Sequence, residues 1–311
     1  MGLRMMRWRK YRAVSGLIGL VALPFMAAVA NADAPGILTW AVPPFAPAFI
    51  SEDGKLTGYA SDTQNWFAAR LDDYQHEIME VPLARLLAEM RNGAADDHPG
   101  HIRCSTTLIP TDERREYISF AKTILLHLPI SVVIRAEDEA IFKPFLDEEG
   151  HIQLGQLMAH GDMTTALRIG RSYGTLIDNY VERYRNAPQI MPVADDSKLL
   201  KLLELGRIDW TFYFPSEAEF YRREIAPNQM IKSLPIRGNT NLLEATIGCA
   251  KTPAGQQAIS RINQIVDTNP DMPWTNFYAA WLSPQDREWF VAARAHYIDP
   301  KQFEALLTPR K

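Results

Sequence analysis

Cysteine is scarce in this chain, with two in 311 residues. That excludes a disulfide-dense mini-scaffold and any four-cysteine zinc site. A surplus of positive charge is also missing. The formal net charge is −4 and the sequence pI about 6.0, whereas a surface that grips nucleic-acid phosphates needs excess lysine and arginine, so no nucleic-acid partner is expected. Metal-ligand spacing is absent. The seven histidines (76, 98, 101, 127, 151, 160 and 296) are scattered, and His98 and His101 beside Asp96-Asp97 read as a solvated turn. There is no GxSxG elbow, HExxH pair, Walker loop or GxGxxG. Acid pairs such as Asp72-Asp73, Asp96-Asp97 and Asp195-Asp196 are adjacent in sequence, so they point apart and read as solvated or capping groups, not a glycosidase pair. With no nucleophile beside a base, no metal set and no cofactor motif, the balance tilts toward a binding protein.

What the chain does have begins at its N-terminus. Arg4, Arg7, Arg9, Lys10 and Arg12 precede the apolar run AVSGLIGLVALPFMAAVA, and Ala30-Asn31-Ala32 follows. Basic region, apolar region and small-residue box make a secretory signal peptide over residues 1–32. The run approaches the length of a membrane span, but Pro24 and the cleavage box favour removal. A bacterial periplasmic protein with no membrane insertion after cleavage is expected. Without that segment 28 basic residues face 37 acidic ones, a balance that suits a soluble body. Hydrophobic residues make up 47% of the chain, which argues for a packed core and against disorder. In an oxidising compartment Cys104 and Cys249 either pair or serve as small buried hydrophobes.

Strand-like and helix-like segments alternate through the rest. Strands are expected at 36–42, 77–81, 102–109, 130–134, 167–170, 190–193, 208–214 and 245–249. Helices are expected at 61–71, 82–91, 175–184, 198–205 and 253–266, followed by aromatic-rich helices over 273–297. Residues 137–149 read as an acidic loop. Such alternation implies α/β lobes, each a mostly parallel sheet covered by helices on both faces.

In chain order, several segments carry a resemblance. They are Trp40-Ala41-Val42-Pro43-Pro44-Phe45, then Leu56-Thr57-Gly58-Tyr59-Ala60-Ser61-Asp62, then Thr111-Asp112-Glu113-Arg114 with Ile118-Ser119-Phe120. Ile169-Gly170-Arg171-Ser172-Tyr173-Gly174-Thr175 and Leu202-Leu203-Glu204-Leu205-Gly206-Arg207-Ile208-Asp209 complete the series. From Gly36 to about Val291 the sequence resembles the type II periplasmic substrate-binding proteins, specifically extracellular solute-binding family 3, the polar amino acid binders of uptake transporters. The resemblance implies a two-lobed clamshell. Its lobe 1 would comprise 33–124 and 245–311 and its lobe 2 125–244, with crossovers near Thr123–Leu126 and Asn241–Glu244. Both cysteines then fall in lobe 1, which makes a bridge geometrically possible.

It also implies a cleft ligand at the carboxyl ends of strands. Arg114 matches the arginine that grips a ligand carboxylate with two parallel hydrogen bonds. Thr106 and Thr107 occupy a strand end that supplies hydroxyl and backbone donors. Ser172, Tyr173 and Gly174 lie at a helix start, where free N–H groups favour an anion, and Arg171 adds charge there. Trp40, Phe45 and Tyr213 are candidate cleft walls, each with a core position as its alternative. One departure matters. The aspartate that takes the ligand ammonium in many such binders falls here at Phe214-Pro215. A phenyl ring cannot balance an ammonium, so an anionic or aromatic small molecule is at least as well matched as a zwitterion. The leading expectation is a monomeric, non-enzymatic binder of a small carboxylate-bearing ligand that serves a membrane transporter or sensor. The alternatives are a dehydratase-like enzyme with Glu217 or Glu219 as general acid, and a sensory or adaptor protein with a vestigial cleft.

Overall fold

The computed structural model describes residues 36–92, 101–195 and 197–300. The signal-peptide reading (1–32), the acidic pair Asp96-Asp97 with His98, and the last eleven residues lie outside them.

The chain runs in three stretches. The first holds β1 (Ile37–Val42), the hairpin β2 (Ile50–Glu52) and β3 (Lys55–Thr57), α1 (Tyr59–Ala68), β4 (Gln75–Glu80), α2 (Leu83–Arg91), β5 (His101–Leu108), α3 (Asp112–Arg115), β6 (Ile118–Phe120) and β7 (Leu125–His127). The second holds β8 (Ser131–Arg135), α4 (Glu139–Phe142), α5 (Leu154–Ala159), β9 (Thr165–Arg168), α6 (Thr175–Tyr184), β10 (Ile190–Val193), α7 (Ser197–Glu204), β11 (Trp210–Tyr213), α8 (Pro215–Ile225) and β12 (Ile231–Leu234). The third returns through β13 (Leu243–Ala250), α9 (Pro253–Asp267), α10 (Thr275–Ala279) and α11 (Pro284–Ile298).

Two sheets result, one per lobe. The first has the order β4-β1-β5-β13-β6, with β7 also on β13, and the second β10-β9-β11-β8-β12. The strands joined by helical crossovers are parallel: β4, β1 and β5 in the first sheet, β10, β9 and β11 in the second. The strands that carry the chain between sheets, β7, β8, β12 and β13, pair antiparallel. Each sheet is therefore more mixed than the alternation alone suggested. The acidic stretch 137–149 is not a bare loop either, since it holds short helical turns and α4.

Both faces of each sheet are covered, and strand alternation sorts the side chains. On β1, Leu38, Trp40 and Val42 enter the core under α1, α9 and α10, while Ala41 faces the smaller core under α2. On β11, Trp210 and Phe212 pack on one face and Tyr213 on the other. The start of α1 shows why glycine is needed at 58. Gly58 has φ +110°, and a Cβ there would sit 2.5 Å from the carbonyl oxygens of Pro47 and Ala48. Tyr59 and Ala60 then donate backbone N–H groups to those same carbonyls. The helix thus begins at Tyr59, two residues before the start expected at 61.

Cys104 and Cys249 stand opposite each other on β5 and β13 and form a disulfide. Of the two readings the sequence left open, pairing is the one realised.

The third stretch braces the crossing strands. Trp274 Nε1 donates to the Ile124 carbonyl, and the Leu128 N–H donates to the Tyr278 hydroxyl oxygen. On α11, Asp286 is buried and accepts hydrogen bonds from Ser283, which caps the helix, and from Ser233 on β12 of the second sheet. Burial raises its pKa from 3.8 to about 6, against the two serine hydrogen bonds, and Glu219 adds to the rise. Between those values the folded protein holds a proton that the unfolded chain has released. Stability therefore falls as pH rises through this window, by about 3 kcal/mol in all. Asp286→Asn keeps an acceptor without the charge. It should melt roughly 5 °C or more above the native protein at pH 8 and match it near pH 4. Melting curves that shift equally at both pH values would refute the assignment.

Candidate functional site

A cavity of about 370 Å³ opens between the two lobes. The first lobe supplies Pro43, Pro44 and Phe45 after β1, Tyr59 at the start of α1, Pro82 and Leu83 at the start of α2, and Thr107 and Ile109 at the end of β5. The connecting strands supply His127, Leu243 and Ala245. The second lobe supplies Phe214, Ser216 and Glu217 at the start of α8. Strand ends and helix starts converge here, which is where open α/β sheets place their ligands. Prolines, aliphatic groups and two phenyl rings form most of the wall, with few polar groups among them.

The polar groups have distinct states. Tyr59 is buried, and its phenol is held protonated. Burial pushes its pKa well up, and electrostatic interaction with Tyr278 and Glu217 adds to the effect. Glu217 is about 4% exposed at its side chain and accepts from Arg171 Nη2 at 2.7 Å; the Phe214 backbone N–H also donates to it, at 3.3 Å. Arg171 in turn lies over the Tyr173 and Phe214 rings. Glu219 behaves differently. Burial alone would raise its pKa, but hydrogen bonds from Arg222 and Arg223 outweigh that and hold it below the ordinary range. It is not among the groups lining the cavity, and an acid kept ionised is a poor proton donor.

The structure separates the sequence-derived candidates. Phe45 and Thr107 line the cavity. Arg114 lies on α3 and is not among the lining residues; its Nη1 donates to the carbonyl of the lining residue Ile109 at 2.9 Å. Arg171 reaches the site through Glu217 and Phe214. Trp40 and Tyr213 do not wall the cleft. Trp40 is in the first-lobe core with its indole N–H on His76, and Tyr213 is in the second-lobe core beside Tyr221. Both strands are covered on two faces, so a large ring finds a core on either side. Thr106 also points into the interior, fully buried, one alternation away from Thr107. Tyr173 packs into the second-lobe core and its hydroxyl accepts the Arg168 N–H. Ser172 and Gly174 stay in the exposed turn before α6. There Asp178 takes the Tyr173 N–H and the Ser172 hydroxyl, and Ser172 takes the Gly174 N–H. Those donors are spent on the turn itself, so an anion has little left to bind.

Sequence reasoning did not single out Tyr59, His127, Ser216, Leu243 or Ala245 as lining residues. Tyr59 was within reach, because it follows the glycine of the Leu56–Asp62 segment. Away from the cavity, Asp147, Glu149 and His151 bring one potential metal-ligand atom each within 4.8 Å of one another. The Asp147 carboxylate, however, already accepts the backbone N–H groups of Glu149 and His151, which stabilises that turn.

Residues 38–284 match the profile of bacterial extracellular solute-binding proteins, family 3. The match covers well over half the chain, and the chain belongs to that family. Comparison with curated protein sequences gives no significant match. Among solved structures, the L-cystine solute receptor of Neisseria gonorrhoeae in its unliganded open conformation is 16% identical, with TM-score 0.52 over 76% of this chain and 87% of that one. A probable amino-acid ABC transporter extracellular-binding protein of Bacillus subtilis is 16% identical, with TM-score 0.56 over 80% and 98%. The arginine-, lysine-, histidine-binding protein of Geobacillus stearothermophilus is 15% identical, with TM-score 0.51 over 81% and 98%. At these identities the likeness is one of fold. Among the described residues no helix is long and apolar enough to cross a membrane.

Proposed function

We propose that this protein captures a small, carboxylate-bearing molecule with an apolar body between its lobes. It would act as a periplasmic monomer, delivering the ligand to a membrane transporter or sensor. The observation that carries the proposal is the cavity itself. Both lobes wall it, mostly with apolar groups, and the one carboxylate among the described lining residues, Glu217, is already engaged by Arg171. An amino acid's ammonium would have to compete with a guanidinium for that carboxylate. A simple acid asks for no such exchange. Its carboxylate would meet Arg114, whose guanidinium is hydrogen-bonded to the carbonyl of the lining residue Ile109.

Thermal melting of the purified mature protein against carboxylic acids tests this, because a ligand that binds only the folded state raises the melting temperature. Acids with apolar bodies should stabilise more than amino acids of the same side chain. Arg114→Ala should weaken binding of such an acid roughly tenfold to a hundredfold, the worth of a charge-assisted hydrogen bond. Unchanged affinity in that variant would remove Arg114 from the site. Glu217 is the one enzyme candidate that reaches the cavity. Turnover of a bound acid that stops in Glu217→Gln would favour the dehydratase-like reading.

A further inference from the structure

His127 is the last residue of β7. Its imidazole is buried and forms part of the cavity wall beside Leu243, its partner in strand register. Two tyrosine rings hold it edge-on, Tyr59 at 5.4 Å and Tyr278 at 5.0 Å between centroids. Both ring nitrogens are fully buried, and neither has a hydrogen-bond partner among the described protein groups. Buried polar groups are almost always paired, so an exception at a ligand cavity asks for a reason.

We propose that His127 reads the ligand: its ring, whose nitrogens are buried in the ligand-free wall, turns one of them to the cavity, and the neutral imidazole hydrogen-bonds a hydroxyl carried on the apolar body of the bound acid. This rests on the carboxylate reading above and adds a second recognition point to it. Several features keep the ring neutral. Burial lowers its pKa to about 4, and the Leu243 backbone opposes that only in part and without hydrogen-bond geometry. The two groups packed on it bring no charge, since burial, as the leading cause, raises the pKa of both Tyr59 and Tyr278. The nearest acid on the cavity wall, Glu217, is paired with Arg171 on the other lobe. A neutral imidazole offers one N–H donor and one nitrogen acceptor. A hydroxyl can satisfy either, whereas a second carboxylate would only accept and would enter an apolar wall uncompensated. A site built around such a bond discriminates strongly against the analogue that lacks the hydroxyl, because its own polar group is then left unpaired.

The test uses matched acids, 3-phenylpropionate against 3-(4-hydroxyphenyl)propionate and hexanoate against 6-hydroxyhexanoate, titrated calorimetrically into native protein, His127→Leu and His127→Asn. Native protein should bind at least one hydroxylated member about tenfold or more tighter than its partner. His127→Leu should bring that ratio close to one, whatever it does to the affinity for the plain acid, and His127→Asn should restore part of it. A ratio unchanged by His127→Leu overturns the proposal. If none of the four acids binds, the carboxylate reading fails. The ligand-free melts then decide on His127. Removing an unpaired buried polar group should raise the melting temperature of His127→Leu, and a marked fall would show that the imidazole is held by the protein and would end the proposal.

Discussion

Replacing Cys104 and Cys249 together by alanine should lower the melting temperature by roughly 10–20 °C. The bond closes a loop with a sequence separation of 145. A loop of that length withholds enough chain entropy from the unfolded state to be worth about 5 kcal/mol, at roughly 2–4 °C per kcal/mol for a domain of ordinary size. Both residues are fully buried and face each other in register on β5 and β13, the centre of the first-lobe sheet. The loop between them contains the whole second lobe, so the bond ties together the outgoing and returning halves of lobe 1. Alanine leaves little cavity there, which makes the lost constraint the main term. The check is calorimetric melting of the variant beside native protein with and without reductant. Reduced native protein should approach the variant. A variant melting within 2 °C of native protein would show that the bond adds no stability.

The alternation of elements was legible because each strand and helix announces itself locally. The run Ile190–Val193 appears as read, and the helix begun by Thr252-Pro253 spans Pro253–Asp267. Two kinds of element escaped. Pro215 reads as a stop after β11, yet it is the first residue of α8, where its missing N–H costs nothing. Strands β7 and β12 have three and four residues, too few for an alternation to show, and their pairing comes from β13 and β8 across the fold. The site was harder for a related reason. Trp40 and Phe45 are both aromatic and five residues apart, and nothing local says that one enters a core and the other a cavity. That depends on what the second lobe brings opposite, which sequence separation conceals. His127 is hidden twice over, as a lone histidine on a strand too short to recognise.

The pair Arg171 and Glu217 joins the stability of the second lobe to the charge of the cavity, and its disruption should move the two in opposite directions. Their side chains are 11% and 4% exposed, and one hydrogen bond of 2.7 Å links them. A surface pair would be worth at most about 1 kcal/mol. Here Glu217→Gln removes a counter-charge from a mostly buried guanidinium, which should cost about 3 kcal/mol. Arg171→Met should cost a similar amount by taking its cation from the carboxylate at the cavity wall. The double variant Arg171→Met/Glu217→Gln strands neither charge, so denaturant unfolding should find it no less stable than either single change. A coupling of 2 kcal/mol or more is expected from that cycle, and strictly additive losses would show that the pair does not act as a unit. Binding reports the other side. Glu217 lines the cavity and its charge already helps raise the Tyr59 pKa, after burial and Tyr278. With that negative charge removed from the wall, a carboxylic acid should bind Glu217→Gln more tightly even as the protein itself becomes easier to unfold. Weaker binding of the acid by the same variant would mean that Glu217 contacts the ligand directly, as a partner for a donor the ligand carries.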